Sequence, residues 1–161
     1  MYHTQEKRKE KLASGALTIN PDAWLGDGIY FWYYEDDATW WGITAKRNCG
    51  YYEVYKADIE CDNVLDTVFN EEHYNFWISK IEEAIKKFVK GKKNLSLKYL
   101  NDFFKEKGAF TGVDGVMFQD ISDNPDSWII KKFQYKKRIQ LVAYNPLIIS
   151  NFVFDFEGKC V

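Results

Sequence analysis

Histidine is almost missing from this chain: His3 and His73 are the only two. No His, Cys or carboxylate grouping follows a ligand spacing, so no metal centre is expected. Cysteine is scarce and odd in number. Cys49, Cys61 and Cys160 form no CxxC pair, which argues against a disulfide framework and for a reduced, cytoplasmic setting. An excess of one charge is also lacking. The formal balance is −2, which excludes a uniformly basic nucleic-acid binder and an acidic mimic of one. No run approaches the roughly 18 apolar residues of a membrane span. The opening MYHTQEKRKEKL lacks the apolar core of a signal peptide. P-loop, GxGxxG and GxSxG patterns are absent. With no repeat, low-complexity tract or linker, residues 1–161 read as one domain with enough length to bury a core.

Aromatic residues, by contrast, are abundant, at 18% of the chain. They concentrate in Trp24–Trp41, WLGDGIYFWYYEDDATWW. Gly26-Asp27-Gly28 supplies a tight turn and lets a ligand approach the backbone. Ile29 to Tyr34 reads as an aromatic strand, and Trp40 and Trp41 follow on a helix. Rings clustered beyond a glycine turn can wall a slot for a flat molecule; the plainer reading is a hairpin turn feeding a core strand.

Along the rest of the chain, Met1–Thr4 reads as a strand end. The polar stretch Gln5–Ser14 reads as a short helix stopped by Gly15. Asp36 is the expected cap of a helix over Asp37–Lys46. Tyr51–Cys61 alternates as a strand, with Tyr52, Val54 and either Tyr55 or Ala57 competing for its inner face, and Val64-Leu65 adds a short one. Tyr74, Trp77, Ile78, Ile81, Ala84, Ile85 and Phe88 recur at helical spacing within Glu71–Lys90; His73 beside them is read as structural or solvated. Ser96–Lys107 repeats the pattern. Gly115–Gln119, Trp128–Phe133, Arg138–Tyr144 and Ile148–Phe156 read as strands between turns. Strands and helices do not alternate regularly, so the pattern predicts α+β with mainly antiparallel sheets.

Three segments carry a family likeness. Tyr2-His3-Thr4, then Leu25-Gly26-Asp27-Gly28-Ile29-Tyr30-Phe31, then Ala38 and Trp41, resemble the ADP-ribosyltransferases of the diphtheria-toxin and poly(ADP-ribose) polymerase branch. The resemblance implies a split antiparallel β-sandwich with peripheral helices, and NAD as co-substrate. By it, His3 and Thr4 hold the dinucleotide, His3 on the adenosine-side ribose. Gly28 is a further cofactor-binding position, Tyr30 lines the nicotinamide subsite, and Trp41 stacks on the ring. The third catalytic position, after His3 and Tyr30, falls on Gln140 in Arg138–Pro146, with Gln119 as runner-up. Trp40 and Trp41 compete for the pocket by one residue of helix register, while Phe31 and Tyr33 are expected to fill core.

The implied chemistry suits these residue types. Breaking the nicotinamide glycosidic bond develops positive charge on the ribose, as in glycoside hydrolysis. Stacking rings hold the leaving group in a water-poor slot. A glutamine can hydrogen-bond a ribose hydroxyl but adds no charge, so transfer of single ADP-ribose units is expected, not chain growth. The chain departs from the family's pattern where Thr4 replaces a Gly, Ala38 a Ser, and Gln140 an acidic residue. These departures also suit an inactive NAD- or ADP-ribose-binding module. A third reading, RNA 2′-phosphotransferase chemistry, would need more than Arg8, Arg47, Arg138 and two histidines. For the acceptor, the basic aromatic-interleaved runs Lys86–Lys93 and Lys131–Arg138 favour RNA or DNA slightly over protein. A toxin-like effector with an antitoxin protein as partner, and no membrane, completes the expectation.

Overall fold

The aromatic stretch does begin a strand, and that strand lies within a larger sheet. The computed structural model describes residues 1–21, 23–88, 95–120, 128–130, 133–134 and 137–160. Among the described residues nine strands run β1 (Tyr2–Glu6), β2 (Ile29–Trp32), β3 (Tyr51–Ile59), β4 (Val64–Asp66), β5 (Gly115–Asp120), β6 (Trp128–Ile130), β7 (Phe133–Gln134), β8 (Arg138–Ala143) and β9 (Ile149–Lys159). Three α-helices accompany them among the described residues: α1 (Glu35–Ala45), α2 (Glu71–Phe88) and α3 (Leu97–Glu106). The protein is therefore of mixed α+β class. Seven strands form one mixed sheet in the order β4-β5-β8-β2-β1-β3-β9, and β6 pairs with β7 separately. Among the described strands β4 and β5 pair in parallel and the other pairings are antiparallel. No helix among the described residues is long and apolar enough to cross a membrane.

The sheet is weakest at its centre. β1 pairs with β3 over five residues, from Tyr2↔Lys56 to Glu6↔Tyr52. β2 pairs with β8 over four, from Ile29↔Ala143 to Trp32↔Gln140. Between β1 and β2 the ladder holds one pair, Tyr2↔Trp32. Beyond it the strands part. The His3 ring then bridges them, with Nδ1 donating to the Tyr30 carbonyl at 2.9 Å.

Separate apolar clusters hold the two sides. One gathers Leu25, Trp77, Leu100, Phe104, Phe110, Val116 and Val142 beneath α2 and α3. Another, of Trp32, Ala38, Tyr52 and Val54, docks α1 against the sheet. The Thr4 hydroxyl donates to the Ala38 carbonyl at 2.9 Å and ties α1 to β1. Helices α2 and α3 follow the spacing seen in the sequence, and Ser96 caps α3 by accepting from the Tyr99 N–H. The Lys90 end expected for α2 lies outside the described residues.

Several local expectations need correction. Gln5–Ser14 is not a helix. Gln5 and Glu6 continue β1, residues 7–13 cross as irregular chain, and only a 3₁₀ turn forms at Ser14–Ala16. The reason is tertiary. The fully buried Glu53 carboxylate binds Lys11, Gln5 and Tyr55, and the Leu12 N–H donates to the Tyr55 hydroxyl. These bonds hold the segment extended over β3. α1 begins at Glu35, with Tyr34 at its cap position and no side-chain cap, so Asp36 lies within the first turn. There Glu35, Asp36 and Asp37 complement the helix dipole instead. In β3, Tyr52 to Tyr55 and Ala57 are all buried, so both faces are covered and neither candidate wins a single inner face. Tyr33, expected in the core, lies past the end of β2 and is 41% exposed, against 0% for Phe31. His73 accepts from the Asp66 N–H at 3.1 Å, a structural role.

Candidate functional site

Where β1 and β2 part, a cleft of about 680 Å³ opens, within the size range of small-molecule sites. Every residue singled out for NAD contact in the sequence lines it: His3, Thr4, Gly28, Tyr30, Trp41 and Gln140. They reach it from β1, the turn before β2, β2, α1 and β8. Gln119, the runner-up for the third position, is paired with Ile139 on β5 and is not among the lining residues. The competition between the two tryptophans also resolves. Trp41 lines the cleft beside Trp32, ring centroids 5.8 Å apart. Trp40 packs beneath the Arg138 guanidinium at 4.3 Å.

The turn ahead of β2 is held from several directions. Gly26 takes a φ of +105°, which favours glycine. The Tyr30 hydroxyl accepts from the Leu25 N–H at 3.0 Å and donates to the Gly26 carbonyl at 2.7 Å. The Leu25 carbonyl accepts from Asn101 at 3.0 Å and from the Tyr144 hydroxyl at 2.9 Å. Burial pushes the Tyr30 phenol well above its ordinary range, so it stays protonated. Gly28 is glycine for a packing reason as well. A Cβ there would meet Val142 Cγ2 at 2.3 Å and the Ala143 carbonyl at 2.8 Å, because β8 runs directly against it.

His3 is constrained by its partner. A carbonyl can only accept, so Nδ1 carries the proton towards Tyr30 and, in the neutral ring, Nε2 is left as the acceptor. Burial lowers the pKa of His3, against the smaller raising effect of the Tyr30 carbonyl. The neutral form therefore prevails at pH 7. Gln140, on β8, is 7% exposed, and its Oε1 accepts from Trp24 Nε1 at 2.7 Å.

Among the described residues four charged side chains also line the cleft, none of them chosen as a site residue from the sequence: Glu6, Arg8, Lys46 and Asp120. Glu6 pairs with Lys46 at 3.2 Å. The Glu6 carboxyl is held low first by its own backbone N–H, against a burial penalty, and then by Lys46. Asp120 meets Arg138 at 2.7 Å. Trp24 was also missed as a lining residue. The Trp24–Gln140 contact spans 116 positions of sequence, and no local pattern encodes such a pairing. Among the described residues no group of three or more His, Cys, Asp or Glu is arranged to hold a metal ion.

The basic runs are only partly in view. Lys90, Lys92, Lys93, Lys131, Lys132 and Lys136 lie outside the described residues. Lys86 and Lys87 are exposed on the last turn of α2. Lys137 Nζ lies 5.8 Å from the exposed Phe69 ring. That ring contacts Tyr33 at 5.7 Å, and Tyr33 contacts Tyr34 at 4.9 Å. Comparison with family models, with curated proteins and with solved structures gave no match to this chain.

Proposed function

We propose that the chain is an NAD-dependent mono-ADP-ribosyltransferase of the split β-sandwich kind, acting as a toxin-like effector in the cytoplasm. The observation that carries this reading is the convergence of His3, Tyr30, Trp41 and Gln140, from four separate elements, on one cleft. In the reaction, the bond between the ribose C1′ and the nicotinamide nitrogen breaks, and its electron pair leaves with neutral nicotinamide. An acceptor nucleophile then bonds C1′ and loses its proton to solvent. His3 would accept a ribose hydroxyl and Trp41 would stack on the leaving ring. With NAD filling the cleft, the Trp32 and Trp41 rings would keep water from the developing cation. Nucleic acid is the favoured acceptor, with the basic run ending at Arg138 leading into β8. An antitoxin protein is the expected partner.

Incubation with labelled NAD and RNA, DNA or lysate protein tests the reading. Nicotinamide release with label on nucleic acid is the expected result, weakened by charge reversal at Lys131, Lys132, Lys136 and Lys137. Label on protein alone would reject the nucleic-acid preference; no release and no label would reject the transferase. A second reading has its own support. The Gln140 oxygen and the Tyr30 hydroxyl are both occupied by protein partners, which suits a module that binds NAD or ADP-ribose without turnover. Binding measured by calorimetry in the absence of nicotinamide release would favour it.

A further inference from the structure

A side-chain amide has one accepting and one donating end, and which end faces a ligand decides what the ligand must offer. At Gln140 the choice is made by a partner that can act in only one way. The indole Nε1–H of Trp24 donates and never accepts, so the atom 2.7 Å from it is the amide oxygen. The amide nitrogen has no protein partner among the described residues, yet it is not sealed from solvent as a buried orphan. Gln140 is otherwise enclosed in the sheet, paired with Trp32 on one side and Phe118 on the other, and it lines the cleft. Its free NH₂ therefore faces that space.

Trp24 is itself well held. Its ring meets Phe118 edge-on at 5.5 Å, and Phe118 meets Trp77 at 5.0 Å. The next residue, Leu25, is fully buried and bonded through both its N–H and its carbonyl.

We infer that Trp24 is a positioning residue that locks the Gln140 amide with its NH₂ towards the cleft, so that this position donates to an oxygen acceptor on the ligand. The ligand's identity as NAD or ADP-ribose rests on the reading above; the lock does not. The fitting chemistry is an oxygen with a free lone pair, from either a carboxamide or a phosphate-ribose portion. A group that can only donate does not fit.

The lock is read in the free, ¹⁵N-labelled full chain. The Trp24 indole N–H resonance, assigned by its loss in Trp24→Phe, is expected to lie downfield and to exchange slowly. In Gln140→Leu it moves upfield and exchanges about tenfold faster, as expected when a hydrogen bond is lost. Gln140→Glu separates lock from donor. A carboxylate still accepts from Trp24, so the resonance stays downfield, but the donor is gone. NAD and ADP-ribose affinities should then fall about tenfold or more in Gln140→Glu, and about tenfold in Gln140→Leu. Loss for NAD alone assigns the acceptor to the carboxamide; equal loss for both assigns it to the ribose-phosphate portion.

An indole resonance unmoved by Gln140→Leu overturns the lock. Binding to Gln140→Glu as tight as to the wild type overturns the donor. If the wild type binds neither nucleotide, the NAD reading fails while the indole resonance still decides the lock. Should Trp24→Phe not fold, the two Gln140 variants carry the test without it.

Discussion

On the β2–β8 wall of the cleft, the Tyr30 hydroxyl and the Gln140 amide oxygen are already bonded within the protein, and the Gln140 NH₂ is left for a ligand. Tyr30 closes the turn through Leu25 and Gly26, and the Gln140 oxygen receives Trp24. On the β1–α1 wall, Trp41 is 38% exposed and Glu6 and Lys46 form a partly exposed ion pair. His3 there keeps one ring nitrogen beyond its bond to Tyr30. The first wall is rigid because its polar groups also fold the chain. The second can yield to a ligand at little structural cost. Substitutions on the first wall should therefore lower stability, and those on the second should lower affinity while the fold survives.

The largest effect is expected at Gly28→Ala. The new methyl would enter the space of Val142 and the Ala143 carbonyl, and overpacking of this kind costs about 3 kcal/mol. A denaturant titration checks it, and an unchanged midpoint would mean that β2 and β8 are not rigidly apposed. Tyr30→Phe follows, at about 1–3 kcal/mol for the stranded Leu25 N–H and Gly26 carbonyl. Trp41→Ala sharpens the contrast from the other side. It should weaken NAD binding about tenfold through lost stacking, with a melting temperature close to wild type. A stability loss matching that of Tyr30→Phe would abolish the distinction between the walls.

His3 contributes to the pH dependence of stability in the range below neutrality. Its folded pKa lies below the ordinary 6.5 because of burial. Below pH 6.5 the unfolded chain thus binds more protons than the folded one, and stability falls as the pH drops. Above 6.5 the contribution is complete. Melting temperature should drop between pH 7 and pH 5 in the wild type by more than in His3→Asn; equal slopes would reject the assignment. Lys46→Ala is expected to do least. Its ion pair with Glu6 is partly exposed, and such pairs contribute about 0–1 kcal/mol.

What could be read from the sequence was what depends on local spacing. The apolar rhythm of α2 and α3 and the glycine turn before an aromatic strand are short-range signals, and His3, Tyr30 and Gln140 were chosen by resemblance to short motifs. Their gathering at one cleft is a matter of the fold. Residues 7–13 were misread because their polar composition suits a solvated helix, while Glu53, some forty residues later, decides their path. Tyr33 was assigned to the core on its ring alone; its position one residue past β2 exposes it. Trp24, Glu6, Lys46 and Asp120 carry no motif. Each acquires its place through a partner distant in sequence or through the parting of two strands.

The order of strands in the sheet also has a consequence in time. β2 pairs with a strand that begins at Arg138, and β3 with one that begins at Ile149, so most of the sheet waits on the last quarter of the chain. Pairings of such long sequence separation form slowly. As the chain is synthesised, His3 and Tyr30 exist long before Gln140 joins them. A ribosome that stops short of β8 leaves one wall of the cleft unbuilt, and the free edge of β2 is then open to other strands.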